Sequence, residues 1–224
     1  LPTSTDTLVG KATTDTLTRD LAGLGGAGKT VLIDPSTAPA AIATTLREAG
    51  AKLLEKRDPV LLPKAVKNDA ELAGMREAHT LDGVALAKFL AWFDATAPKG
   101  GLTEIGIVTA LEAFRREEET CVDASFDTIS GAGPNGAIVH YRVTTKTDRT
   151  LKPGEIMLVD SGAQYLSGTT DITRTLSTGP TTPEQRDRFT RVLKGMIAIT
   201  QARFPKGTSG AQLDILARQF LWQD

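Results

Sequence analysis

Two aspartates stand at matching places on two adjacent runs of strand-forming residues. Asp160 ends the apolar run Glu155–Asp160, and Asp171 opens the run Asp171–Ser177. The segment between them is rich in the Gly and Ser residues that turns use, so the two runs predict paired antiparallel strands. A hairpin would place both carboxylates on neighbouring strands, a few ångströms apart.

Two anions so close together, beside a core, repel each other and lose hydration. Such a pair is tolerated only if one carboxylate is protonated or a cation lies between the two. Converging oxygen ligands suit a divalent ion such as Mn²⁺ or Zn²⁺. Spacing alone leaves an alternative open, in which Asp160 and Asp171 are simply two solvated aspartates at strand ends.

The elements around this hairpin indicate an α+β domain. Helical patterns cover residues 68–95 and 103–118, and two more follow the hairpin, over residues 182–204 and 209–222. Between them, Gly, Pro and Asn turns separate several strand signals, one of which is Ala137–Val143. Helices on either side of a run of antiparallel strands are typical of this class.

Residues 1–62 have a different pattern, in which helix and strand signals alternate as in an α/β unit. Pro59 and Pro63 mark a boundary, so we expect a second domain over residues 63–224. The chain begins at Leu1 without a Met, and it stops directly behind an amphipathic run. We therefore interpret it as a fragment of a longer protein.

The segment Gly23–Thr30 matches the phosphate-binding pattern G-x-x-x-x-G-K-[ST] letter for letter. That loop needs a strand before it and a helix after it, so that the helix N-terminus and the Lys reach the phosphates. Here the preceding segment is predicted to be helical, and Val31–Ile33 is predicted to be a strand. We expect no nucleotide site and no bound nucleotide cofactor at Lys29.

The overall composition excludes several classes of protein. Lys and Arg number 26 against 27 Asp and Glu, which provides no basic field for a nucleic acid. No apolar run approaches the roughly 18 residues needed to cross a bilayer, so we expect no membrane partner. Cys121 is the one cysteine, which excludes an intrachain disulfide and favours a cytoplasmic location.

Three further polar features have structural interpretations. His79 lies on the apolar stripe of the helix over residues 68–95, one turn before Asp82, which predicts a His–Asp pair. The charged run Arg115–Glu119 is interpreted as a solvated helix end. Thr173 either supports the metal-site residues without binding metal or acts only as a strand former.

Several segments together resemble the aminopeptidase P family, over about residues 63–224. They follow one another in the family's order and spacing: Lys64–Asn68, Gly74–His79, Gly133–Tyr141, Asp160–Tyr165 and Gly168–Thr175. The last two are similar to the family's metal-site hairpin, and Gly133–Tyr141 resembles its catalytic-histidine strand. The resemblance implies the first part of a pita-bread (creatinase/aminopeptidase) catalytic domain, preceded by part of a creatinase-like α/β domain.

The resemblance also implies roles for individual residues. Asp160 and Asp171 would be two of five metal ligands, with Asp171 bridging two ions and Asp160 holding one alone. His140 would not bind metal but would contact the substrate and stabilise the tetrahedral intermediate. The family's other ligands, one His and two Glu, are not in this chain and are expected beyond Asp224. The chain by itself is therefore expected to be inactive.

The implied activity is a metal-dependent aminopeptidase that removes the first residue from peptides with proline in second position. It would use two divalent metal ions, Mn²⁺ with Zn²⁺ as the alternative, and we expect a homodimer. A prolidase-type X-Pro dipeptidase shares the Asp pair and is one alternative. A metal-free pita-bread binding protein is another, although such proteins generally lose both Asp160 and Asp171.

Overall fold

The computed structural model describes residues 14–223 and, within them, side chains from residue 16 onwards. The chain start at Leu1, interpreted above as a cut end, lies outside the described residues. The chain divides into two compact units, one up to Asn68 and one from Asp69. The first unit includes a short helix, Leu61–Ala65, and therefore extends beyond the predicted boundary between residues 62 and 63.

The first unit alternates helices and strands. In chain order these are α1 (Thr14–Gly26), β1 (Thr30–Ile33), α2 (Ala40–Glu48), β2 (Lys52–Glu55) and α3 (Leu61–Ala65). β1 and β2 run parallel, with α2 as the crossover between them. Gly25 allows a close approach, because a Cβ there would lie 2.4 Å from the Cβ of Ala49. The assignment of this unit to a creatinase-like domain stays a prediction.

The phosphate-loop pattern lies between a helix and a strand, in the order that the sequence predicts. α1 ends at Gly26, a turn follows with Gly28 at a φ of 62°, and β1 begins at Thr30. No helix follows the loop directly, so no helix N-terminus is aimed at a phosphate beside Lys29.

We therefore expect calorimetry with ATP to give no binding heat for the wild-type protein or for Lys29→Ala. The physical reason is that the loop lacks the helix dipole and ordered amides that hold phosphates. ATP binding by the wild-type protein that disappears in Lys29→Ala would overturn this prediction.

The second unit combines four helices with five strands among the described residues. The helices are α4 (Asp69–Thr96), α5 (Glu104–Arg115), α6 (Pro183–Gln201) and α7 (Gly210–Arg218). The strands are β3 (Cys121–Ala124), β4 (Ile129–Ala132), β5 (Ile156–Ser161), β6 (Ala163–Tyr165) and β7 (Ile172–Ser177). Short 3-10 helices cover Ala97–Lys99 and Gly133–Ala137. This content confirms the predicted α+β class.

The strands form two antiparallel groups. β4, β5 and β7 make one sheet in that order, and β3 pairs with β6. Along β5, buried residues alternate with half-buried ones, as expected for a strand with one face on the core. The buried face packs against α4 and α5 in a core that includes Leu86, Phe89, Phe93, Ile107, Leu111, Met157 and Val159.

α6 begins at a capping box, in which Thr182 and Gln185 exchange side-chain and backbone hydrogen bonds. It packs closely on α7, since a Cβ on Gly195 would lie 2.4 Å from the carbonyl oxygen of Ala217. One apolar stripe of α6 is 40–59% exposed: Phe189, Val192, Leu193, Met196 and Ile197. Adjacent apolar side chains with this exposure are typical of surfaces that contact a protein, a ligand or a membrane.

Within residues 14–223, none of the helices combines the length and the hydropathy that crossing a membrane would require.

Candidate metal centre

Asp160 and Asp171 lie on two strands that pair directly. β5 and β7 are antiparallel, with Asp160 opposite Thr173 and Ser161 opposite Ile172. Asp171 comes one residue before Ile172, so it continues the line of β7 by one position. The hairpin expected from the sequence is present, and β6 lies within the connection between its two strands.

Both aspartates lie on the sheet face that points away from the core. Their chain neighbours Ser161 and Thr170 are buried, whereas Asp160 is half-buried and Asp171 is exposed. Successive residues of a strand point to opposite faces, so a buried neighbour places each aspartate on the open face. A ligand in solution can reach both carboxylates from this face.

Thr173 contacts Asp160 directly across the two strands. Its Oγ1 donates a hydrogen bond to Asp160 Oδ1 at 2.7 Å. A carboxylate has about four lone-pair positions, so this one bond orients Asp160 and leaves both oxygens able to bind a cation. Thr173 therefore supports the side chain of Asp160 in addition to forming part of β7.

His140 lies in a turn, and the predicted strand over Ala137–Val143 is wrong. Gly133–Ala137 form a 3-10 helix, and a turn continues through His140. The Gly, Pro and Asn residues of this segment favour turns over strands. His140 has a φ of 53°, and it is the one non-glycine residue with positive φ in the described part of the chain. That conformation costs roughly 1–2 kcal/mol, so the surrounding structure must hold it.

A buried carboxylate at the start of α5 holds this segment. Glu104, which is 0% exposed, accepts hydrogen bonds at Oε1 from Ala132 N at 2.7 Å and Asn135 Nδ2 at 2.9 Å. Its Oε2 accepts from the hydroxyl of Tyr141 at 3.0 Å. Burial, and then the hydrogen bond to Glu104, raise the pKa of Tyr141, which therefore remains a donor. Glu104 anchors the chain on both sides of His140.

The same segment lies over the sheet face that carries the aspartates. A Cβ built on Gly136 would be 3.6 Å from the Cβ of Leu158, which is two residues before Asp160 and on the same face. Within residues 16–223, no hydrogen bond or ion pair joins His140 to Asp160 or Asp171. The fold thus brings the two aspartates onto one hairpin and the His140 segment onto the same side of the sheet.

The two aspartates fit part of a metal site. Carboxylate oxygens on adjacent strands are hard ligands of the kind that divalent ions such as Mn²⁺ take. Among residues 16–223, no three His, Cys, Asp or Glu side chains form a group that could hold a metal ion. The described residues therefore offer Asp160 and Asp171 as two ligands, and a complete site needs others.

One prediction about charged side chains is wrong, and a second is wrong in part: of the run Arg115–Glu119, Arg115 is buried and the other four residues are not. His79 is exposed, and its Nδ1 lies 2.7 Å from the carbonyl oxygen of Met75, so it does not pair with Asp82. The buried stripe of α4 instead passes through Ala78 and Asp82, one residue out of phase with His79. Asp82 pairs with Arg115, which is buried rather than solvated. The sequence feature that could have predicted this buried pair is Asp82, a charged residue at helical spacing within the apolar stripe of α4.

The sequence is similar to a family of metallopeptidases and to named members of it. A family model described as metallopeptidase family M24 matches residues 73–224. A protein of Aspergillus clavatus named "Probable Xaa-Pro aminopeptidase P" is 51% identical over 172 residues, which is 76% of this chain and 26% of that protein. The chain therefore spans about a quarter of this relative's length.

Solved structures have the same fold. The X-prolyl aminopeptidase of Caenorhabditis elegans, described as a cytosolic enzyme with a di-nuclear active site, matches with a TM-score of 0.80 and 33% identity, covering 93% of this chain and 35% of that one. The prolidase of Pyrococcus furiosus matches with a TM-score of 0.74 over 94% of this chain and 58% of that one, but at 22% identity it shows the fold alone. The predicted pita-bread fold and the resemblance to aminopeptidase P are confirmed.

Proposed function

Because the chain belongs to metallopeptidase family M24, we propose that it supplies part of the catalytic domain of an X-Pro aminopeptidase. Such an enzyme removes the first residue of a peptide whose second residue is proline. The observation that carries the proposal is the pairing of β5 with β7, which places Asp160 and Asp171 on one hairpin. The 51% identity to a protein named as an Xaa-Pro aminopeptidase P supports the same substrate class.

Asp160 and Asp171 would hold the metal together with ligands from outside this sequence. Asp171 would hold both divalent ions and Asp160 one of them, with Mn²⁺ as the metal and Zn²⁺ as the alternative. Divalent ions in such a site supply Lewis-acid chemistry, polarising a peptide carbonyl and lowering the pKa of water. The di-nuclear site described for the Caenorhabditis elegans enzyme supports the number of ions.

The chain's own residues would orient these ligands and assist the reaction. The hydrogen bond from Thr173 keeps Asp160 in one rotamer, so less conformational freedom is lost when a cation binds. His140 would donate a hydrogen bond to the carbonyl oxygen of the first residue as negative charge develops there. Glu104 holds the segment that presents His140, through Asn135 and Tyr141.

We propose that the whole protein acts in the cytoplasm as a homodimer, on peptides and without a membrane or nucleic-acid partner. The lone Cys121 and the absence of a basic excess support this setting. The description of the Caenorhabditis elegans enzyme as cytosolic agrees with it.

Two alternatives predict different outcomes. A prolidase would cleave only X-Pro dipeptides, and its support here is limited to fold, at 22% identity. A metal-free binding protein of the same fold would cleave nothing, and the presence of both Asp160 and Asp171 argues against it.

The test is cleavage by the full-length protein in the presence of Mn²⁺. We expect hydrolysis of a tripeptide with proline second, and little hydrolysis of the matched tripeptide with alanine second. Residues 1–224 alone should be inactive, because two carboxylates leave a divalent ion mostly hydrated and weakly bound. Cleavage of the X-Pro dipeptide alone would favour a prolidase. No cleavage of any substrate, with no metal bound, would refute the proposal.

A further inference from the structure

An ion pair between α4 and α5 lies inside the second unit. Arg115 Nε donates to Asp82 Oδ1 at 2.7 Å and Arg115 Nη2 donates to Asp82 Oδ2 at 3.1 Å, and each residue is 3% exposed. Burying two charges costs free energy, which their attraction offsets only if the remaining lone pairs are also satisfied. Apolar residues of similar volume often give equal stability, so stability alone does not account for this pair.

The other hydrogen bonds of the pair go to the hairpin that carries the two aspartates. The hydroxyl of Tyr165 donates to Asp82 Oδ1 at 3.0 Å, and Thr170 Oγ1 donates to Asp82 Oδ2 at 2.9 Å. Arg115 Nη2 also donates to Ser161 Oγ at 3.1 Å. Burial, followed by the charge of Asp82, raises the pKa of Tyr165, so this hydroxyl keeps its proton at neutral pH.

Two of these contacts fall on the direct neighbours of the candidate ligands. Ser161 follows Asp160, and Thr170 precedes Asp171. Because strand side chains alternate, each neighbour points towards the ion pair while its aspartate points to the open face. The ion pair therefore holds Ser161 and Thr170, the residues next to the two candidate ligands, from the buried side of the hairpin.

The backbone at this point has little room to shift. A Cβ on Gly162 would lie 2.0 Å from the carbonyl oxygen of Thr170, so the two strands approach closely there. Thr170 Oγ1 accepts a hydrogen bond from Ala163 N at 3.0 Å, and Ser125 Oγ donates to the Thr170 carbonyl at 2.9 Å. Metal ligands must be held to within about 0.5 Å of their working positions. A displaced Thr170 would carry Asp171 out of that range.

We propose that Asp82 and Arg115 are positioning residues of the metal centre, which set the spacing of Asp160 and Asp171 from the buried side of the hairpin. The inference rests on the proposed function, because it requires that these two aspartates bind metal. The ion pair itself would touch neither metal nor substrate. Mutating a residue that holds a metal ligand in position typically lowers the affinity for the metal about 10- to 100-fold.

The test measures Mn²⁺ binding by calorimetry in the full-length protein, beside thermal unfolding. Thr170→Val removes the hydroxyl that donates to Asp82 next to Asp171 and keeps the side-chain shape, and Thr170→Ser keeps the hydroxyl. We expect Thr170→Val to raise the Kd for Mn²⁺ about 10- to 100-fold, and Thr170→Ser to restore it to near the wild-type value. Ser161→Ala provides the same test on the Asp160 side if Thr170→Val does not fold.

A matched control breaks a different ion pair of the same unit. Arg149 and Glu155 pair at 2.8 Å just before β5, with side chains 24% and 20% exposed, and neither adjoins an aspartate ligand. Glu155→Gln should lower the unfolding temperature and leave the Kd for Mn²⁺ unchanged. If Thr170→Val behaves like this control, the network has only a structural role and the inference is wrong. A wild-type protein that binds no Mn²⁺ would reject the proposed function, and this inference with it.

Discussion

Asp171→Ala in the full-length protein is expected to reduce peptide cleavage to the background rate and to remove the bound metal. As the proposed bridging carboxylate, Asp171 would hold both ions, so its loss would weaken both sites at once. Its exposure on the open face of the hairpin suggests that the fold depends little on this side chain. The measurements are metal content per protein molecule and turnover of a tripeptide with proline second.

Two variants control this experiment. Asp171→Asn keeps the size of the side chain and removes its charge, and it should lose metal as Asp171→Ala does. Asp94→Ala makes the same change at an exposed position of α4, away from the hairpin, and should keep both metal and activity. Full metal content in Asp171→Ala would show that Asp171 is not a ligand.

His140→Ala is expected to lower kcat about 10²- to 10³-fold while leaving the metal bound. Removing one hydrogen-bond donor to a developing oxyanion typically has an effect of this size. Metal retention follows because His140 is assigned to the substrate and not to the ligand set. Metal content and single-turnover kinetics on the X-Pro tripeptide would separate the two effects.

The positive φ of His140 calls for a second variant. Asn tolerates this backbone conformation better than most residues, so His140→Asn removes the imidazole while favouring the same turn. Similar loss of kcat in His140→Asn and His140→Ala would assign the effect to the imidazole. If either variant is stripped of its ions, His140 is a metal ligand and the proposed roles are reversed.

Local patterns sufficed for most of the secondary structure. The strand signals around Asp160 and Asp171, with turn residues between them, predicted the hairpin that β5 and β7 form. Helical spacing predicted α4 to α7, and the structure shows that Thr103 and Thr182 cap the helices α5 and α6. These features depend on residues close together in the chain, so a sequence displays them directly.

Predictions failed where burial depends on distant parts of the chain. Arg115 looked like the start of a solvated run because its neighbours are charged, but its partner Asp82 lies on another helix. His79 was placed on the buried face of α4, whose true position is set by what packs against it. The strand predicted around His140 is a turn, which Glu104 holds from the start of α5.

By itself, therefore, the sequence determined the fold class, the hairpin, the two candidate ligands and the resemblance to aminopeptidase P. The fold class, the hairpin and the candidate ligands depend on residue types at short spacings, whereas the resemblance depends on several motifs that follow one another in the family's order. Only the tertiary structure decided which charged residues are buried and which residues hold the candidate ligands from the buried side of the hairpin. Asp82 meets Thr170 across 88 positions of the chain. Contacts over such separations follow from how helices and strands pack, which the periodicity of any one segment does not encode.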